Sequence, residues 1–232
     1  MSLLGQEITQ RMLENAKQRL GPDTVKILDA GCGTGESLTI LKDFFPEGAI
    51  TGVDISEKAL AQAREKGVAE ELIKADLSGF KNPNQFDLIF MQAVLMHIGE
   101  PQKVLANLKE SLAGRGVLAV FEPDYHGMNS PFPEFPTFKK TLVATMQGYG
   151  IDPYLGSKLV SYLSNLGFLR IKEFAVNLKI MPREEGWGIL LALCEVAGPA
   201  MLEFIPILEK TRQDPKNVFE FKGKMAVVAQ KS

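Results

Sequence analysis

The feature that most restricts the fold is a regular alternation of short apolar runs with amphipathic segments of helical spacing. The apolar runs are VKILDA (25–30), AITGVD (49–54), ELIKAD (71–76), FDLIFMQA (86–93) and VLAVFEP (117–123). Segments such as ESLTILKDFF and SEKALAQAREKG lie between them. Strands that alternate with helices are typical of a doubly wound parallel sheet, so the sequence predicts an α/β, Rossmann-like fold.

The rest of the chain predicts one domain over residues 1–232 with two additions to this sheet. A helix is predicted within residues 1–22, a helix from Pro101 is expected to end at Gly114-Arg115-Gly116, and two further strands are predicted at 174–180 and 219–230. The extra material falls at 124–150 and 182–215, which we expect to be helical insertions that form a lid.

Composition limits the classes of function. The 232 residues carry a formal net charge of −2, which gives no electrostatic case for a nucleic-acid partner. Two cysteines form no CxxC pair, and no signal-peptide pattern is present, so we expect a cytoplasmic protein without a zinc site. The apolar stretch 187–208 contains Glu195, Glu203 and two prolines, which predicts broken helices and no membrane span.

The turn after the first predicted strand is rich in glycine. Gly31, Gly33 and Gly35 alternate along ILDAGCGTGES (27–37), where a strand is expected to enter a helix. Such a turn lets a nucleotide approach the backbone closely, near a helix N-terminus. A dinucleotide fingerprint needs a third glycine where Glu36 stands, which disfavours NAD(P).

Several segments together resemble the class I S-adenosylmethionine-dependent methyltransferases. They are LDAGCGTG (28–35), GVDIS (52–56), KADL (74–77), FDLIFMQAVLMHI (86–98) and GRGVLAVFEPD (114–124), in the family's order and spacing over about residues 23–124. The segment FEPDY is also similar, more loosely, to a subgroup that methylates small molecules. The resemblance implies a seven-stranded, mostly parallel sheet whose last strand is antiparallel, with S-adenosyl-L-methionine as cofactor and S-adenosyl-L-homocysteine as product.

The same resemblance implies which residues bind the cofactor. Asp54 would accept from both ribose hydroxyls, Asp76 from the adenine amino group beside the backbone of Leu77, and Asp29 would hold the turn or face the cofactor's ammonium group. The implied set is Asp29, Gly31, Cys32, Gly33, Gly35, Asp54, Ile55, Asp76, Leu77, Gln92, Ala93 and His97. Cys32 is interpreted as a small residue in a crowded turn, not as a reactive thiol.

The acceptor side of the reaction is less defined by the sequence. Both histidines, His97 and His126, follow predicted strands at the ligand-bearing edge, and either could act as a general base; the alternatives are a structural imidazole for His97 and a solvated one for His126. Glu122 and Asp124 could orient an acceptor or only fix their loop. Trp187 could line an acceptor pocket or a dimer interface.

We expect the acceptor to be a small, partly apolar organic molecule, because the two insertions suit an enclosed pocket. No metal-ligand cluster is visible, and the fourth strand lacks the Asn/Asp-Pro-Pro-Tyr/Phe segment that amino-methylating nucleic-acid enzymes carry. A monomer or homodimer is expected. The alternatives are an NAD(P)-dependent oxidoreductase, a non-catalytic S-adenosylmethionine-binding regulator, and a protein or tRNA methyltransferase.

Overall fold

The structure is a computed structural model, and it describes residues 3–21, 25–180, 191, 194, 198–214 and 216–232. Trp187 and residues 182–190, 192, 193, 195–197 and 215 of the predicted insertion 182–215 therefore lie outside the described residues. The strands are β1 (Lys26–Ala30), β2 (Ala49–Asp54), β3 (Glu71–Lys74), β4 (Phe86–Gln92), β5 (Leu112–Phe121), β6 (Met128–Asn129), β7 (Leu169–Ile180) and β8 (Phe219–Gln230).

Helices alternate with these strands in the first half of the chain, and further helices follow β6. The described helices are α1 (Leu3–Leu20), α2 (Glu36–Phe44), α3 (Glu57–Lys66), α4 (Pro101–Ser111), α5 (Phe135–Gly148), α6 (Leu159–Asn165), α7 (Pro199–Leu202) and α8 (Phe204–Thr211). Single 3₁₀ turns occur at Leu95–His97, Tyr125–Gly127 and Gly156–Lys158. The Ser56 hydroxyl caps α3 by accepting a 3.2 Å hydrogen bond from the Ala59 N–H, and Gly67 ends that helix at φ 63°.

The strands form one twisted sheet with the predicted topology. The longer strands run in the order β3-β2-β1-β4-β5-β8-β7, and β6 adds a short pairing to β8. Pairs among β1 to β5 are parallel, whereas β8 is antiparallel to both β5 and β7. The prediction of a seven-stranded, mostly parallel sheet with an antiparallel last strand is therefore confirmed.

Hydrophobic residues cover the sheet on both faces, as the continuous apolar strands predict. Successive residues of one strand enter opposite layers: Ile27 and Leu88 pack with α1 and α2, whereas Leu28 and Ile89 pack with α4 and α6. The α1 face that reaches the sheet consists of Ile8, Met12, Leu13 and Ala16, which are all buried. None of the described helices is long and apolar enough to cross a membrane.

Two predicted boundaries were wrong. The glycines at 114 and 116 do not end α4, which stops at Ser111; they lie inside β5, where the register with β4 shifts and Arg115 has φ 65°. Leu112 is fully buried and already pairs with Phe86, so burial starts the strand before the glycines. Strand β7 begins at Leu169, earlier than the predicted 174, because it pairs with β8 along nearly its whole length.

The predicted insertions pack against each other through aromatic side chains. Phe132, Phe135 and Phe138 of the first insertion surround Phe219, with ring centroids between 5.6 and 5.8 Å apart. The Phe138 ring also meets that of Phe204 in α8 at 5.4 Å, edge to face. This contact joins the first insertion to the described part of the second, whereas their role as a lid stays a prediction.

Candidate functional site

A cavity of about 590 Å³ opens at the carboxyl ends of β1 to β4. In open parallel sheets this edge is where ligands bind, and the volume falls within the range of small-molecule sites, about 300–1,000 Å³. Its walls come from the turns that follow the four strands. The lining residues are Gly31, Gly33, Asp54, Ile55, Ala75, Asp76, Leu77, Ser78, Gln92, Ala93, Val94, His97, Ile98 and Gly99.

The glycine-rich turn forms the floor of this cavity. Gly31 has φ 82°, and a Cβ atom there would lie 2.4 Å from Cγ2 of Val94. Gly33 has φ 53°, and a Cβ there would meet nothing within 4 Å. At Gly35, with φ 86°, a Cβ would meet Ala63 of α3 at 3.1 Å. The first and third glycines therefore permit close packing, and the second borders open space in the cavity.

Asp54 connects the second strand to the glycine turn. Its Oδ2 accepts a hydrogen bond of 2.9 Å from the Gly33 N–H, and its Oδ1 accepts one of 2.8 Å from the Ser56 N–H. These bonds hold the carboxylate at the cavity edge. Ile55 beside it is 66% exposed, which is unusual for a large apolar side chain and leaves a flat hydrophobic wall for a ligand.

The turn after β3 contributes a second carboxylate. Asp76 is exposed, and its Oδ1 accepts from the Ser78 hydroxyl and, at 2.8 Å, from the Ser78 N–H. These hydrogen bonds lower the pKa of Asp76 below its ordinary value, so the side chain is an acceptor at neutral pH. Leu77 is buried beside it and anchors the turn in the core.

The turn after β4 forms the opposite wall. Ala93 has φ 54°, a strained value for a residue with a side chain, and its N–H donates to the Phe121 carbonyl at 2.8 Å. Gln92 accepts a 3.4 Å hydrogen bond from the hydroxyl of Thr9 in α1. His97 is exposed at the end of this turn, and its partial desolvation lowers the pKa of the imidazole below its ordinary value.

Asp29, Cys32 and Gly35 were predicted to bind the cofactor but are not among the lining residues. Asp29 is 1% exposed and accepts a 2.5 Å hydrogen bond from the Ser37 hydroxyl; burial raises its pKa to about 7. Burial likewise raises the pKa of the Cys32 thiol to about 12, which agrees with an unreactive small residue. These residues support the turn from beneath, and their direct contact with the cofactor stays a prediction.

The two histidines occupy different places. His97 lines the cavity, but His126 does not. The Nδ1 atom of His126 lies 2.9 Å from Oδ1 of Asp124, and its ring stacks on Tyr154 at 3.9 Å between centroids. The His126 side chain is 63% exposed. His126 is therefore held beside Asp124 and Tyr154, outside the lining of this cavity, and its role as a base stays a prediction.

The sequence did not single out Ala75, Ser78, Val94, Ile98 or Gly99 as lining residues. Each of these residues follows β3 or β4 and lies within a few positions of a residue that was predicted to bind the cofactor. Their position after the strand ends is the sequence signal that could have identified them. Among the described residues no cluster of metal-binding side chains occurs. The cavity does fit a nucleoside with an amino-acid tail: it pairs Asp54 and Asp76 with the exposed Ile55 and the open space beside Gly33.

A sequence model described as a methyltransferase domain matches residues 22–161, more than half of the chain. The chain belongs to the class I S-adenosylmethionine-dependent methyltransferases. The members of this family are enzymes, and their cofactor is S-adenosylmethionine.

Relatives of this methyltransferase agree with that placement. The trans-aconitate 2-methyltransferase of Rhodopseudomonas palustris is 36% identical over 99 residues, which are 43% of this chain and 39% of that enzyme. The match therefore spans about two fifths of the curated relative.

Solved structures share the fold. The YcgJ protein of Bacillus subtilis superposes with a TM-score of 0.67 at 16% identity, over 97% of this chain and 98% of that one. Phosphoethanolamine N-methyltransferase 2 of Haemonchus contortus, solved with phosphomonomethylethanolamine and S-adenosylhomocysteine, gives 0.59 at 19% identity, over 95% of this chain and 52% of that one. At these identities the likeness concerns the fold alone.

Proposed function

We propose that the cavity at the carboxyl ends of β1 to β4 binds S-adenosylmethionine, and that the chain transfers its methyl group to a small, partly apolar organic acceptor. The observation that carries this proposal is the Asp54 carboxylate, which is fixed by the Gly33 and Ser56 N–H groups at the mouth of the glycine turn. Both its oxygens keep acceptor capacity toward a pair of ribose hydroxyls.

Each wall of the cavity has a separate role in this proposal. Asp54 holds the ribose, Ile55 covers one face of the adenine, and Asp76 with the Leu77 backbone meets the adenine edge. Gly31, Gly33, Gln92 and Ala93 surround the methionine part. When bound, S-adenosylmethionine supplies an activated methyl group, so the chain's own residues mainly orient the acceptor and exclude water.

His97 is the better placed of the two proposed bases. It lines the cavity, and its lowered pKa keeps the imidazole neutral, and so able to accept a proton, at pH 7. His126 remains the second candidate, oriented by Asp124. Its stacking partner Tyr154 lines a separate open groove of about 710 Å³ that also contains Lys139 and Lys140.

The relatives support a small-molecule acceptor without naming it. One is called a trans-aconitate methyltransferase, and another was solved with phosphomonomethylethanolamine. Both names describe small, polar acceptors, and the aligned part of the first is confined to about two fifths of its length. A cytoplasmic location, the absence of a nucleic-acid partner and a monomeric or homodimeric state rest on the sequence and stay predictions.

The test is a panel assay for formation of S-adenosylhomocysteine. The protein is incubated with S-adenosylmethionine and, separately, with small carboxylates, amines, phenols, tRNA and a protein mixture. The proposal predicts turnover with a small molecule. Turnover only with tRNA or protein would contradict the acceptor class. Tight S-adenosylhomocysteine binding with no turnover on any acceptor would favour the regulatory binder.

A further inference from the structure

Glu122 is a buried carboxylate at the end of β5 that the proposed reaction does not use. It is 0% exposed, yet three successive backbone N–H groups converge on it. Its Oε1 accepts from Val94 and Leu95, each at 2.8 Å, and its Oε2 accepts from Met96 at 3.2 Å. One side chain thus accepts hydrogen bonds from three successive N–H groups of the turn that follows β4.

That turn is one wall of the cofactor cavity, and its placement depends on close contacts. The Val94 side chain lies over Gly31 so closely that a Cβ on Gly31 would be 2.4 Å from it. Ala93, just before, is held at φ 54°. A strained residue persists only where its surroundings fix it, and such residues cluster at binding sites.

We propose that Glu122 is a positioning residue for the cofactor site. By accepting hydrogen bonds from the N–H groups of Val94, Leu95 and Met96, it holds the turn after β4 against Gly31 and so sets the shape of the cavity. Glu122 touches no cofactor in this arrangement and acts through Val94 and Ala93. The inference rests on the proposed placement of S-adenosylmethionine in this cavity.

Ionisation of Glu122 is needed for this role. The ionised carboxylate accepts all three hydrogen bonds strongly, whereas the acid form is a weaker acceptor and carries an O–H that needs an acceptor among these N–H donors. Burial raises the pKa of Glu122 to about 7 against the lowering effect of the three N–H groups. The titratable and charged groups on the surrounding elements are His97, Asp124, Tyr125, Asp152 and Lys158, with Asp29 and Asp54 across the glycine turn.

The test compares wild type with Glu122→Gln in the full-length protein. An amide offers one oxygen, so its NH₂ group faces one of the three N–H donors. Calorimetric titration should show at least a tenfold rise in the dissociation constant for S-adenosylhomocysteine. In ¹H–¹⁵N NMR spectra, the amide resonances of residues 94–96 should titrate with an apparent pKa near 7 in wild type and show no such step in the variant.

A matched control is Gln230→Leu, which also removes a buried polar side chain. The Nε2 atom of Gln230 donates a 2.8 Å hydrogen bond to the Arg115 carbonyl, near the start of β5. This variant should lower the melting temperature without changing cofactor affinity. If Glu122→Gln does not fold, the wild-type experiment still decides: cofactor affinity should weaken together with the shift of these amides as the pH falls through 7.

The outcomes separate this inference from the proposed function. If Asp54→Ala weakens binding but Glu122→Gln binds as wild type does, Glu122 is only structural and the inference fails. If neither variant weakens binding, the proposed location of the cofactor is wrong. Amides of residues 94–96 that do not respond to pH in wild type would also overturn the role assigned to Glu122.

Discussion

The Oδ2 atom of Asp54 accepts a 2.9 Å hydrogen bond from the backbone N–H of Gly33, across 21 residues of sequence. This bond joins the end of β2 to the turn after β1. Since both strands are parallel neighbours in the sheet, their carboxyl ends meet at one edge. The bond therefore fixes the shape of the mouth of the cavity before any ligand arrives.

Replacement of Asp54 by alanine should weaken S-adenosylhomocysteine binding more than tenfold, or about 1.4 kcal/mol. The variant loses both the acceptor for the ribose hydroxyls and the bond to Gly33. Asp87→Ala is a matched control, because Asp87 also accepts from a backbone N–H, that of Lys26 at 2.9 Å, but at the opposite edge of the sheet. Calorimetry that finds equal affinity in both variants would remove Asp54 from the site.

Gly31→Ala should be far more disruptive than Gly21→Ala, although both glycines have φ 82°. Each substitution puts a side chain in the left-handed region at a cost of about 1–2 kcal/mol. Only the Cβ at Gly31 clashes, with Val94 at 2.4 Å, and overpacking adds about 1–3 kcal/mol. Chemical denaturation of both variants measures the difference, and equal losses would show that the Val94 contact is unimportant.

Asp29→Asn should change how stability depends on pH. Burial raises the pKa of folded Asp29 to about 7, against 3.8 without the fold. Between those values the unfolded chain binds fewer protons, so the wild-type free energy of unfolding falls as the pH rises from about 4 to about 7. The variant lacks this loss, which is on the order of 4 kcal/mol at most. Parallel wild-type and variant curves in urea denaturation would contradict the assignment.

His97→Gln should lower kcat by about 100-fold or more if His97 is the general base, because base catalysis contributes about that much. Wild-type turnover should fall on acidification as the His97 imidazole takes up a proton, and partial desolvation lowers the pKa of this step below its ordinary value. The comparison is His126→Ala, which should cut turnover and leave S-adenosylhomocysteine affinity unchanged if His126 is the base. Steady-state kinetics with the acceptor found in the panel measure both, and full turnover in both variants would rule out a histidine base.

Much of the fold follows from local sequence patterns. The apolar runs VKILDA, AITGVD and FDLIFMQA became β1, β2 and β4 as predicted. Ser56 and Gly67, the first and last residues of the segment SEKALAQAREKG, mark the ends of α3. The errors have local causes too. The glycines around Arg115 resemble a loop, but the burial of Leu112 brings them into β5.

The lining of the cavity was predictable where its residues lie at the carboxyl ends of strands. The family resemblance implied Asp54, Asp76 and Gln92 as cofactor-binding residues, and all three line the cavity. The role of Glu122 could not be predicted, because its partners at 94–96 become neighbours only when β4 and β5 pair. The same limit applied to His126, whose direction depends on Asp124 and Tyr154 and not on the strand that precedes it.

The most direct test of the central claim is calorimetric titration of the purified wild-type protein with S-adenosylhomocysteine, with NAD as the comparison ligand. We expect a dissociation constant in the micromolar range for S-adenosylhomocysteine, about 8 kcal/mol of binding free energy, and no measurable heat for NAD. Binding of NAD without S-adenosylhomocysteine, or of neither ligand, would contradict the assignment of this cavity to S-adenosylmethionine.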